Sequence, residues 1–288
     1  PPLLGSRRTY LPTMTGGIMS KGTSASKTLR IATLAICAAL LNACASGGNV
    51  SGSGFNPTTP KNALDATAVQ SADIKRVVIA DVNLGSPSRK YLQKRENAVD
   101  AIIADALERE GWEVVSTREF TQRWRNAVSM HGDPVDPTTG RVNSRTFSRI
   151  VNTIKDQMME SSNIDALIFT DLLEKDVYFS QGVNRVARWD GVTRKPPTQG
   201  GGNGVSVNFN WSVPVAATTI RISIFNRNLE RMFVGEGGIA LNEAVDTRSG
   251  TGFVRRREIL GNETHIREGV ALALHPLFPM KNWPGDPD

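Results

Sequence analysis

Two cysteines, three histidines, two glycine tracts and two arginine clusters hold most of the chemistry open to this chain of 288 residues. His131 stands beside Asp133 and Asp136, a set that could in principle hold a metal ion. Both acids precede Pro, however, and Asp-Pro pairs are common turn formers. His265 and His275 lie ten residues apart on one expected helix, too far apart to share an ion. With no Cys beside any of them, neither a metal centre nor a cofactor is expected. There is no G-x-S-x-G nucleophile elbow, which leaves a hydrolase without a starting point. The tract Gly200-Gly201-Gly202-Asn203-Gly204 lacks the Lys-Ser/Thr and the helix of a phosphate loop and reads as the tip of a long hairpin. Gly235-Glu236-Gly237-Gly238 reads as a strand bulge or bend. The expectation is a protein with no catalytic residue, not an enzyme.

Binding chemistry has more to work with. Arg188, Trp189, Arg194 and Lys195 gather an aromatic and three cations near the first glycine tract. Trp and Arg often carry interface energy, although Trp189 would serve equally well as a strand residue packed on a core. Arg255, Arg256 and Arg257 form a basic run. Such a run suits a solvated strand edge that discourages pairing, or contact with anionic headgroups or acidic wall polymer.

Cys44 closes the sequence Leu41-Asn42-Ala43-Cys44, behind an apolar run over residues 31–41. Lys21, Lys27 and Arg30 precede that run, and no acid occurs before Asp65. A basic lead, a core too short to cross a bilayer and a small residue at the cut point make a secretory signal. With Cys first after the cut, the segment resembles the lipobox of bacterial lipoproteins. The resemblance implies cleavage between Ala43 and Cys44, a diacylglycerol on the Cys44 thiol and an acylated amino terminus. Asn42 departs from the usual Ala, Ser or Thr. Ala45 and Ser46 follow where Asp would mark inner-membrane retention, so an outer-membrane anchor facing the periplasm is expected. Residues 1–43 are read as signal, preceded by a segment that need not be translated, with Met19 a plausible start.

That reading changes the charge. Residues 1–43 take five of the 34 basic residues and none of the 28 acidic ones, so the net +6 falls to near +1. Nucleic-acid binding, which wants a clearly basic domain, loses its support. Cys37 leaves with the signal and Cys44 is lipidated, so the exported domain has neither a thiol nor a disulfide.

Residues 44–72 are rich in Ser, Gly, Thr, Pro and Ala and read as a lipidated Cys followed by a flexible tether. A single domain is expected over 73–280, with a polar tail over 281–288. It opens on a buried strand at 77–82, then a helix carrying Val99, Ile102, Ile103, Ala106 and Leu107 on one face, capped by Gly111. A short strand at 112–115 precedes a helix from Thr117, with Thr117 as its cap. Another helix follows, with Ser144 a candidate cap, then a buried strand at 166–170. Beyond it the apolar period becomes two: Val205, Val207, Phe209, Trp211 and Val213, then Ile220, Ile222 and Ile224. Asn226-Arg227-Asn228 turns a hairpin, and a last helix follows Asn262. The order β-α-β-α-α-β-β-β-β-α makes a mixed α/β (α+β) domain: a mixed parallel/antiparallel sheet with helices packed on it.

This order resembles the domain shared by lipoproteins of the penicillin-binding-protein activator type (LpoB), the amino-terminal domain of TolB and the curli-secretion lipoprotein CsgG. The resemblance rests on the strands at 77–82, 112–115 and 166–169, the helix ending at Gly111, the later hairpins and the final helix. It implies a protein that binds or regulates an envelope partner, such as a peptidoglycan synthase or assembly machinery, with self-association open. The alternative is an oligomeric secretion pore of CsgG type. That needs two long amphipathic hairpins, and only one candidate, 177–219, is present and interrupted.

Overall fold

The computed structural model describes residues 62–81, 83, 92, 94–202 and 204–280. Ala43, Cys44, Val82, the turn at 85–88 and the tail at 281–288 lie outside the described residues. Strands are numbered β1 to β11 and helices α1 to α5 in chain order.

β2 (Arg76–Ile79) has Val77, Val78 and Ile79 fully buried, as a strand covered on both faces requires. α2 (Glu96–Arg109) buries Val99, Ile102, Ile103 and Leu107, the expected stripe. Gly111 follows it at φ +87°, and its N–H donates to the Glu108 carbonyl at 3.0 Å. β3 is Glu113–Val115 and α3 is Thr117–His131. The α3 cap is Ser116 and not Thr117: Ser116 Oγ accepts from Arg118 N. For α4 (Ser144–Ser162) the cap is Asn143 and not Ser144, and its Oδ1 accepts from Arg145 N and Thr146 N. In both cases the residue one earlier holds the extended backbone that a cap needs.

β4 (Ala166–Val177) pairs along its whole length with β8 (Val215–Asn226). The expected turn at 226–228 leads into β9 (Arg231–Leu241), with Asn226 Oδ1 accepting from Asn228 N and Glu230 N at 2.9 Å each. The main sheet runs β1-β9-β8-β4-β2-β3, parallel at β2–β3 and β2–β4 and antiparallel elsewhere. The mixed α/β class is therefore the one formed. One face of the sheet packs on α2 and α5 (Glu263–Leu274), through Ile168, Ile220, Ile222, Ile224 and Val270. The other packs on α3 and α4 through Val78, Leu167, Phe120, Ile150 and Ile154. That second layer stops at β4.

Two expectations need correction. The tether does not extend to residue 72. β1 (Ala63–Leu64) pairs with β9, and α1 (Ala66–Ala72) starts at Asp65, whose Oδ1 accepts from Ala68 N. Leu64, Ala68 and Val69 are small or few, but they pack on a core that other elements supply. The second correction concerns 205–213, which forms no strand. Its polar alternate residues bond their own backbone: Asn208 N donates to Ser206 Oγ and Ser212 N to Asn210 Oδ1. Such local bonds compete with a ladder. Between Val177 and Val215 there are instead β5 (Ala187–Trp189), β6 (Val192–Arg194) and β7 (Thr198–Gln199). β7 joins β10 (Glu243–Asp246) and β11 (Phe253–Arg255) in a small sheet. The long hairpins of a CsgG-type pore are not formed among the described residues, and no helix there is long and apolar enough to cross a membrane.

The second glycine tract has two roles. Register shifts between Thr218 and Thr219 opposite this stretch, which is the expected bulge. Gly235 and Gly237 also face α5, where an added Cβ would collide with the carbonyl oxygens of Ala273 and Gly269. Gly237→Ala is therefore expected to lower stability by about 1–3 kcal/mol through overpacking. Gly201, with open space around it, supplies the control: Gly201→Ala should stay within about 0.5 kcal/mol in urea unfolding.

Candidate functional site

The residues proposed from sequence as a binding tip divide into two groups. β5 and β6 pair as a hairpin across Asp190-Gly191, both at positive φ (39° and 89°), the geometry of a tight two-residue turn. Trp189 is 7% exposed and packs with Val192, Ala217, Leu241 and Leu272. Arg194 is also buried. Its Nε donates to the Ile239 carbonyl at 3.0 Å and its Nη2 pairs with Glu268 of α5 at 2.5 Å. Gly238 N donates to the Asp190 carbonyl at 2.9 Å. The hairpin thus covers the outer edge of β9 beyond its short pairing with β1, a common protection for a sheet edge. Arg188 and Lys195 alone of the four face outward.

The run at 255–257 has a similar structural share. Arg255 pairs with Glu174 at 2.8 Å and Arg256 Nη1 donates to the Leu241 carbonyl at 3.0 Å. Arg257 N donates to Gln199 Oε1. These contacts tie the small sheet to the main one, while the side chains of Arg255 and Arg257 remain exposed. In the 131–136 loop, His131 Nε2 bonds Thr153 Oγ1, and Asp133 and Asp136 accept from the N–H groups of their own turns.

What sequence spacing did not reveal is the second face of β4, β8 and β9. The residues between the buried isoleucines of β8 are Arg221, Ser223 and Phe225, and in register with them on β4 lie Asp171 and Phe169. Glu236 of β9 is opposite Arg221. Glu236 is 1% exposed, with Arg221 Nη2 at 2.6 Å from Oε1 and Lys175 Nζ at 2.5 Å from Oε2. Lys175 also pairs with Asp190, which accepts from Thr219 Oγ1 at 2.6 Å. Burial alone would push the Glu236 carboxyl up, but Lys175 and Arg221 outweigh it and hold it below the usual range.

Arg221 is thereby turned toward Glu236. Among the described residues no donor or cation bonds the Asp171 carboxylate, although Arg221 is its register partner. Burial pushes the Asp171 carboxyl up, with Arg221 partly opposing. Asp171 lies in a groove of about 430 Å³ between α4 and β8. Phe147 and Val151 of α4 make one wall, and Phe169, Phe225 and Leu229 make the other, the two sheet aromatics meeting edge to face at 5.5 Å. Val142, 39% exposed, stands at its end. An apolar trough with one unpaired carboxylate suits an apolar segment that brings a cation.

No family model matches the chain, and no curated protein matches it either. Among solved structures it is similar to lipoprotein GNA1162 from Neisseria meningitidis, at 11% identity over 57% of this chain and 81% of that one. The TM-score is 0.28, a value that carries no argument about shared fold or role.

Proposed function

We propose that this is a lipid-anchored protein of the bacterial envelope that acts by binding a protein partner and not by catalysis. The anchor is the lipid on Cys44, on the periplasmic face of the outer membrane. Support for it is the sequence around that residue: the basic lead, the short apolar run and Ala43 before Cys44. A diacylglycerol with an amide-linked third chain exceeds the two chains that stable anchoring needs. Only residues 45–62 separate Cys44 from the start of β1 at Ala63. The partner must then lie close to the membrane that holds the lipid.

The observation that carries the binding reading is Asp171 in the groove. A half-buried carboxylate without a bonded cation lowers stability and gives nothing back to the fold. Its carboxyl is raised above the unfolded value, so at neutral pH its charge opposes folding, and the opposition disappears as pH falls through the raised value. Such a residue is explained if a Lys or Arg of the partner completes it, with apolar side chains between Phe147 and Phe225. Asp171→Asn should therefore leave stability unchanged or higher, yet weaken partner binding about tenfold. A photo-crosslinking residue at Ser148 or Asn152, at the groove margin, would identify the partner in intact cells, and titration of the purified pair would give the affinity. Equal affinity for parent and Asp171→Asn would remove the groove from the reading. Retention of Cys44→Ser in the membrane fraction, without labelled fatty acid in the parent, would remove the anchor.

A further inference from the structure

Of the seven large apolar side chains that stand exposed among the described residues, five belong to one lobe over residues 178–213: Tyr178, Val183, Val205, Val207 and Val213. Val183 is 100% exposed and Val207 99%. The lobe nevertheless has its own aromatic core. Phe179, Phe209, Trp211 and Phe253 form a ring cluster with centroid separations from 4.5 to 6.0 Å, and the Arg185 guanidinium lies 4.6 Å above Trp211. The apolar tips are thus carried on a packed base.

The charge on the lobe is one-sided. Asp190 is the one acid in 178–213, and it is turned inward to Lys175 and Thr219. Arg194 is turned inward to Glu268. Arg188 and Lys195 face out, and Arg185 is half-buried over its indole. Exposed apolar tips, Tyr and Trp beside them, cations and no outward acid are the composition that settles at the headgroup level of an anionic bilayer.

We infer that the 178–213 lobe rests on an anionic phospholipid surface, with Val183 and Val207 entering the headgroup layer and Arg188 pairing with a lipid phosphate. The inference rests on the lipid-anchor reading in one respect. A domain already tethered near the bilayer is held at millimolar effective concentration, so a weak surface contact is enough to orient it. The groove containing Asp171 plays no part.

The test uses the exported chain carrying Cys44→Ser, which has no lipid of its own. Flotation with phosphatidylglycerol-rich vesicles should exceed flotation with phosphatidylcholine vesicles by about fivefold and fall as salt is raised. Val183→Ser with Val207→Ser should reduce it about fivefold, with no change in melting temperature because neither side chain is buried. Arg188→Gln should erase most of the preference for anionic vesicles. Asp171→Asn should float like the parent, which keeps failure of the groove distinct from failure of the lobe. No flotation on anionic vesicles would overturn the inference. So would equal flotation of the Val183/Val207 variant, or a concentration-dependent dimer lost in that variant while vesicle binding is absent.

Discussion

Lys175→Met is expected to lower the unfolding free energy by about 3 kcal/mol at neutral pH, the scale found when one partner of a buried ion pair is removed. Lys175 bridges two carboxylates, those of Asp190 and Glu236. Without it Asp190 keeps Thr219 Oγ1 and Glu236 keeps Arg221. Glu236 is the more exposed to loss because water cannot reach it. The pH dependence gives the sharper check. In the parent, Glu236 is held low by Lys175 and Arg221 against its burial. Its contribution is therefore present above the unfolded value and is lost as pH falls through the lowered folded one. In the variant burial gains ground, the carboxyl rises, and protonation relieves the penalty. The gap between parent and variant should accordingly be largest near pH 7 and shrink toward about pH 4 in urea unfolding. A gap that stays constant across that range would mean that the loss is one of packing and not of charge.

Trp189→Ala is expected to cost about 3–5 kcal/mol, as truncation of a buried aromatic does. Trp189 packs against Val192, Ala217, Leu241 and Leu272, and so joins the hairpin, the sheet and α5. Its indole Nε1 is buried and has no hydrogen-bond partner among the described residues. Trp189→Phe removes that unsatisfied group along with some volume, so it should cost no more than about 1 kcal/mol. The pair of variants separates core from interface. If Trp189 were an interface anchor, Trp189→Ala would keep its stability and lose partner affinity. The expected pattern is the reverse, measured at a temperature where the variant is still folded.

Much of the fold could be read from local spacing because local spacing is what forms it. The apolar period of α2, the run at 77–79 and the asparagine turn at 226–228 all depend on residues within a few positions of one another. Caps were readable to within one residue: Ser116 and Asn143 took the places expected of Thr117 and Ser144, since adjacent polar residues offer similar side chains and only the backbone angle separates them. The Asp190-Gly191 dipeptide is itself a hairpin signal in the sequence, and the chain turns there between β5 and β6. Alternation at 205–213 misled for a physical reason. Period two describes side chains and says nothing about where the backbone N–H groups go, and here Ser206 and Asn210 take them.

By itself the sequence determined the mixed α/β class of the domain, and its basic lead and apolar run before Cys44 are what raise the expectation of a cleaved, near-neutral protein. Tertiary structure alone decided which charged and aromatic residues face inward. Arg194 meets Glu268 across 74 positions and Lys175 meets Glu236 across 61. Among the described residues Asp171 has no bonded cation because its register partner turns to a third strand. Such pairings depend on strand order and register, which bring together residues whose separation along the chain carries no trace of the contact.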